Sequence, residues 1–303
     1  MENNKPQLKS RAALLSVSSN TLLVVFKLIA GLLTGSVAIL SDAIHSFVDL
    51  GASVVALLAV HRSGVPPDSD HRYGHNKFED LSASIEALLL LLGAAVIAEQ
   101  AIGRFIHGGH VGLFGVGLTI VGAAAVINLF VSHYLKQVAN RTSSAALAAD
   151  SAHLSTDAIA SIGVFISLLL IKLTGAQWID PAFGLLIASV ITVTGLKILF
   201  GSGRRLIDTA LPDEEMVLID KVINSFIDRH NLVLSHHDVR ARQSGLDHEV
   251  DFHLQFGTVS LAEAHRLTHI LQDEIVSALP RTTVLIHMEP SESIRPDSFV
   301  EEN

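Results

Sequence analysis

Residues 37–61 read VAILSDAIHSFVDLGASVVALLAVH, and residues 145–173 read AALAADSAHLSTDAIASIGVFISLLLIKL. Each stretch exceeds the roughly 20 mostly apolar residues that a helix needs to cross a bilayer. Each also interrupts its apolar run with an acid, a histidine and a second acid: Asp42, His45 and Asp49 in one, Asp150, His153 and Asp157 in the other. Both patterns read D-x-x-H-x-x-x-D, and each member stands 108 positions from its counterpart. On a helix, positions i, i+3 and i+7 fall within about 60° of one face. An ionisable side chain at the bilayer centre costs at least about 2–3 kcal/mol. The two stripes are therefore expected to face each other or water. His45, Asp49, His153 and Asp157 then supply two nitrogens and two oxygens, a set suited to a tetrahedral divalent ion such as zinc. Such a site needs neutral imidazole and ionised carboxylate, so protons compete with the metal. Asp42 and Asp150 lie toward opposite membrane surfaces, where they ligate, hydrate the cavity or contact neighbouring polar groups.

Working outward, four more long apolar runs appear, giving six expected spans at 12–33, 37–61, 81–105, 112–135, 145–173 and 179–201. The composition agrees: of 303 residues, 49% are hydrophobic and only 17% charged, with a mean hydropathy of +0.46. Soluble domains carry about 25% charged residues. Lys5, Lys9 and Arg11, then Arg62, Arg72 and Lys77, then Lys136 and Arg141, then Arg204 and Arg205 all fall on one side, against Arg104 and Lys172 on the other. The positive-inside rule predicts both termini in the cytoplasm of a multi-pass cell-membrane protein. Met1–Arg11 is too polar and too short for a signal peptide and is expected to be a cytosolic segment. The predicted organisation is residues 1–11 cytosolic, 12–209 a six-helix membrane domain, 210–290 a cytosolic metal-binding dimerisation domain and 291–303 a flexible tail.

Several functions are disfavoured. Without cysteine there is no thiolate metal site and no cysteine nucleophile. A net charge of −9 and 5% aromatic residues give nucleic acid no handle. No H-E-x-x-H zinc-enzyme motif and no P-loop occurs, so an enzyme is not expected and any pumping is gradient-driven.

The segment after residue 210 alternates differently. Helices are predicted at 213–229 and 260–279 and strands at 233–243, 248–256 and 282–289, an αββαβ order forming an open-faced α+β layer. Val250, Phe252, Leu254 and Phe256 alternate with Glu249, Asp251, His253 and Gln255, so one sheet face is apolar and the other polar. On the last strand His287 and Glu289 join the polar set. In the second helix, Leu261, Ala264, Thr268, Leu271 and Ile275 form the expected buried stripe.

Six spans, H-x-x-x-D in spans 2 and 5, an α/β tail, and the loop Pro66-Pro67-Asp68-Ser69-Asp70-His71-Arg72-Tyr73-Gly74-His75-Asn76-Lys77-Phe78-Glu79 together resemble the cation diffusion facilitator family, over residues 12 to about 290. The resemblance implies a homodimeric, proton-coupled exporter of zinc or a related divalent metal, with transport ligands His45, Asp49, His153 and Asp157. It implies a second metal site at Asp68, His71 and His75. It further implies a metallochaperone-like tail holding metal through His237, His253, His265, His287 and Glu289, where relatives often have aspartate at the last position. The His45/His153 version resembles zinc-preferring members; iron, cobalt, cadmium and manganese are the other candidate cargoes. The rival reading is a membrane-anchored metal sensor or scaffold that transports nothing. His236, His248 and His269 are expected to be exposed, and His61, His107, His110, His133 and His230 to sit at span edges or in loops.

Overall fold

The computed structural model describes residues 5–34, 37–107, 115–245 and 247–291. His110 and the terminal stretch 292–303 lie outside them. The chain divides into two compact units, one ending at Ile207 and one beginning at Asp208.

The first unit consists of six long helices: α1 Lys5–Thr34, α2 Val37–Ser63, α3 Lys77–His107, α4 Gly115–Thr142, α5 Ala145–Thr174 and α6 Ile179–Leu206. Among the described residues, α1, α2, α3, α5 and α6 are long and apolar enough to cross a membrane. α1 starts at Lys5, earlier than the apolar run alone predicts. Pro6 is tolerated in its first turn, where no backbone N–H partner exists anyway. α1 packs on α2, α4 on α5 and α3 on α6, while α5 also touches α2, α3 and α6. Alanines make these approaches close: Ala12, Ala13, Ala56, Ala146, Ala149 and Ala158 are fully buried, as small residues are at membrane helix interfaces. Outward faces carry exposed Leu22, Leu33, Phe47, Leu92 and Phe165, far more apolar surface than a water-soluble monomer tolerates.

Local signals set the ends of α5. The Ser144 hydroxyl accepts a hydrogen bond from the Leu147 N–H, satisfying one of the helix's free donors. Gly175, at φ 75°, closes the other end, its N–H donating to the Ile171 carbonyl.

The second unit is α7 Asp213–Arg229, β1 Val233–Ser244, β2 Asp247–Phe256, α8 Leu261–Ala278 and β3 Thr282–Pro290. The sheet order is β1-β2-β3, with β1 and β2 antiparallel and β2 and β3 parallel. The Ser260 side chain caps α8, with Glu263 three residues on as a capping box supplies it. The core joins Ile219, Ile223 and Phe226 of α7 to Phe252 and Leu254 of β2 and Leu267 and Leu271 of α8. One residue of the expected α8 stripe is misplaced: Leu261 is 75% exposed, and Leu267, 2% exposed, fills the core instead. Leu261 opens the helix, a turn before the part that packs on the sheet.

Candidate metal centres

α2 and α5 bring their stripes together. Asp49 Oδ1 lies 3.1 Å from His153 Nε2, and Asp157 Oδ2 lies 3.7 Å from the same nitrogen. The three offer ligand atoms all within 4.8 Å of one another. Asp49 and His153 are each 8% exposed. His45 stands apart: its Nε2 is 4.0 Å from Asp49 Oδ1 and its side chain is 65% exposed. It lines the same cavity of about 170 Å³ as Asp49 and Asp157, together with Lys27, Asp42 and Asn128. Three donors thus converge, with a second imidazole at the wall of the same cavity, a donor set that fits a divalent ion.

Polar groups continue along the bundle on both sides. Toward the start of α2, Lys27 Nζ pairs with Asp42 Oδ2 at 2.8 Å and donates to Ser46 Oγ at 2.7 Å. Toward the start of α5, Ser53 donates to Asp150 Oδ1 at 3.1 Å, while Asn20 and Ser16 donate to Ser53 at 2.6 and 3.2 Å. Glu86 of α3 is fully buried there. At the Lys5 end of the bundle, Glu79 takes Lys9 and Ser63 at 2.7 Å each and is also bonded by the Ser144 hydroxyl. Nearby, Arg205 donates to Asp80 at 2.7 Å. At the opposite end Arg104 pairs with buried Asp180 at 2.6 Å. Lys27 and Glu86 are functional candidates that sequence reasoning passed over. A charge inside the apolar runs 12–33 and 81–105 was the available signal.

The loop after α2 gathers Asp68, His71 and His75, with ligand atoms inside 4.8 Å. Asp68 Oδ1 accepts the backbone N–H groups of Asp70 and His71 at 3.0 and 2.7 Å. Those bonds, the one from His71 foremost, hold its carboxyl below the usual carboxylate range. Gly74, at φ 86°, makes the turn that folds His75 back. Buried His75 places Nδ1 3.2 Å from the Val65 carbonyl and Nε2 3.2 Å from Asp68 Oδ2. A proton on Nδ1, donated to Val65, would make Nε2 the nitrogen that meets a metal, on the same side as the Asp68 carboxylate. This is how a backbone carbonyl orients a metal-binding histidine. The donor set fits a divalent ion.

In the second unit, sheet register builds the site. His237 lies opposite His253, and His253 opposite His287, one row across three strands. A bulge after His237, with Asp238 at φ 54°, shifts the register there. Ring centroids are 5.0 Å apart for His237 and His253 and 4.8 Å for His253 and His287. Glu289 accepts His253 Nδ1 at 2.6 Å and lies 3.4 Å from His237 Nε2 and 3.8 Å from His287 Nε2. His253, then His237, hold its carboxyl below the usual range. The His237, His253 and Glu289 donor atoms meet within 4.8 Å, again a set that fits a divalent ion. His265 is not among them: it is exposed on α8, its Nε2 3.2 Å from that of His269.

The remaining histidines split. His269, His61, His107 and His133 are exposed. His236 and His248 are instead half-buried. His236 packs against α7 through Asp220 at 2.8 Å, and His248 lies 3.9 Å from Glu215 on the same helix. His230 is half-buried against the Phe226 ring.

Six helices that gather carboxylates and an imidazole inside an apolar bundle define a membrane carrier of metal cations. Residues 13–207 match the family model of the cation efflux transmembrane domain, and residues 211–291 match that of the cation efflux protein cytoplasmic domain. The chain belongs to the cation efflux family of membrane transporters. It is 30% identical over 292 residues to an uncharacterized transporter of Synechocystis sp., covering 95% of this chain and 93% of that one. It is 31% identical over 296 residues to the cation-efflux pump FieF of Escherichia coli, covering 96% and 95%. Among solved structures, the zinc form of CzrB matches 28% of this chain and 96% of its own at 31% identity and a TM-score of 0.27.

Proposed function

We propose that this protein exports divalent metal from the cytoplasm, zinc foremost, in exchange for protons. The observation that carries this reading is the convergence of Asp49, His153 and Asp157 between α2 and α5, at a cavity that His45 also lines. His45 reaches the cluster by a side-chain rotation and becomes the fourth ligand, completing two imidazoles and two carboxylates. Metal binds when these groups are deprotonated. Protons arriving from the far side neutralise the carboxylates, charge the imidazoles and displace the metal. The related pumps named for cation efflux support export, as does the basic-residue asymmetry, which by the positive-inside rule favours termini inside the cell.

The loop residues Asp68, His71 and His75 and the tail residues His237, His253, His287 and Glu289 bind metal at the cytoplasmic side. The chain works as a homodimer through its tail, with His265 contributing a ligand once two tails associate. Tail loading then raises export as cytosolic metal rises.

Metal flux into proteoliposomes, with and without an imposed proton gradient, tests the proposal with zinc, manganese, iron and cobalt in parallel. Gradient-dependent flux preferring zinc is expected. Binding of metal by the protein with no flux of any of the four would overturn export in favour of a membrane-anchored sensor. Flux preferring manganese would overturn the zinc assignment.

A further inference from the structure

One buried group in the bundle takes no part in the metal cluster. Glu86, about a third of the way along α3, is 0% exposed, and neither carboxylate oxygen has a hydrogen-bond partner. It lies close enough to Asp150 and His153 to interact with both electrostatically. Asp150 is 1% exposed. Its Oδ1 takes the Ser53 hydroxyl proton, but Oδ2 has no partner. Three carboxylate oxygens from two helices are thus enclosed without a donor among the described residues.

Two ionised carboxylates in that setting are untenable. An isolated buried charge costs at least several kcal/mol, and two of like sign repel. A single proton resolves both problems. Carried on Glu86, it removes one of the two buried charges and with it the repulsion from Asp150. A metal ion fits worse. Hard cations take about six oxygens, whereas Ser16, Asn20 and Ser53 direct their hydrogens along a chain ending on Asp150 and so act there as donors. The charged or titratable groups that face Glu86 are Asp150 and His153, both on α5. α1 and α2 bring uncharged Ser16, Asn20 and Ser53 to Asp150, and α6 packs Gly195 against α3 at Ala87.

We propose that Glu86 and Asp150 form a proton-binding site separate from the metal ligands, one helical turn from His153 toward the start of α5. Loading forms one O–H bond on a carboxylate oxygen, and release breaks it. Its part in transport rests on the proton-exchange reading above: the site holds the proton on its way between the metal cluster and the Lys5 end of the bundle.

Infrared spectroscopy of the metal-free full-length protein in lipid nanodiscs at neutral pH tests the site directly. A protonated-carboxyl C=O band is expected in the native protein, lost in Glu86→Gln, moved in Asp150→Asn and kept in Glu86→Asp. In proteoliposomes Glu86→Gln is expected to lose gradient-driven zinc flux while still exchanging zinc for zinc, a readout that a merely misfolded variant cannot give. A native spectrum without the band, or a band unchanged by Glu86→Gln, overturns the site. So does loss of one equivalent of bound sodium or magnesium in Glu86→Gln by calorimetry, which would make it a metal site. Should the band behave as expected while the native protein shows no gradient-driven flux, the proton site stands and the exchange mechanism falls.

Discussion

Asp49, His153 and Asp157 declare themselves in the sequence because charge in an apolar helix is expensive and because i and i+4 share a face. Only the structure shows that His45, the other member of the pattern, is turned outward from the cluster it lines. That position should tune rather than create the site. His45→Asp is predicted to keep metal flux but raise manganese relative to zinc, since an oxygen ligand suits the harder ion. Unchanged selectivity in parallel flux measurements would argue against His45 as a ligand. Lys27 and Glu86 were harder to read, because their partners Asp42 and Asp150 lie on other helices and no local spacing links them. In the loop, the lowered pKa of Asp68 fixes a sign. A carboxyl depressed by folding contributes stability above its unfolded pKa of about 3.9, and that contribution is lost as pH falls through the lower folded value. The His71 amide that Asp68 accepts should therefore stay protected from hydrogen exchange down to about pH 4 in metal-free protein. Exchange rising already near pH 6 would contradict the Asp68 turn.

At the scale of elements, the tail was the most legible part. Alternation in β2 separates Phe252 and Leu254 from His253 and Gln255, and the capping box at Ser260 marks the start of α8. What escaped was register: pattern assigns His253 and His287 to polar faces, but only strand pairing and the bulge at Asp238 set them in one row with His237. In the bundle, apolar length locates helices and says nothing of their neighbours. Glu79 shows why that matters, since it joins α1 through Lys9, the end of α2 through Ser63 and the cap of α5 through Ser144, contacts 70, 16 and 65 residues away. Glu79→Ala removes the acceptor that joins them and strips the largely buried Lys9 ammonium of its carboxylate, and is predicted to destabilise the purified protein by about 3 kcal/mol. Thermal unfolding in detergent indistinguishable from the native protein would show that the node is not structural. Phe252→Ala, by contrast, empties the core of the tail and should cost about 3–5 kcal/mol. Loss of tail strand protection in hydrogen exchange, with the bundle helices still protected, is the expected signature; protected tail strands would contradict it.

For the whole molecule, the proposed function divides binding and moving between the two units. The His237, His253 and Glu289 cluster stands on a sheet, from which a bound ion could not travel, whereas the Asp49, His153 and Asp157 cluster lies among helices long and apolar enough to cross a membrane. His253→Ala is therefore predicted to raise the metal concentration at which flux is half-maximal without lowering the maximal rate; a lowered maximum with unchanged half-saturation would place the tail in the transport path instead. The central claim is that the α2–α5 cluster is the moving site. Zinc flux under a proton gradient, compared between the native protein and the double variant Asp49→Ala, Asp157→Ala, tests it most directly, with zinc bound by the tail measured on the same samples. Flux abolished while tail zinc remains is the predicted result. Flux that survives loss of both carboxylates would show that zinc crosses by another route.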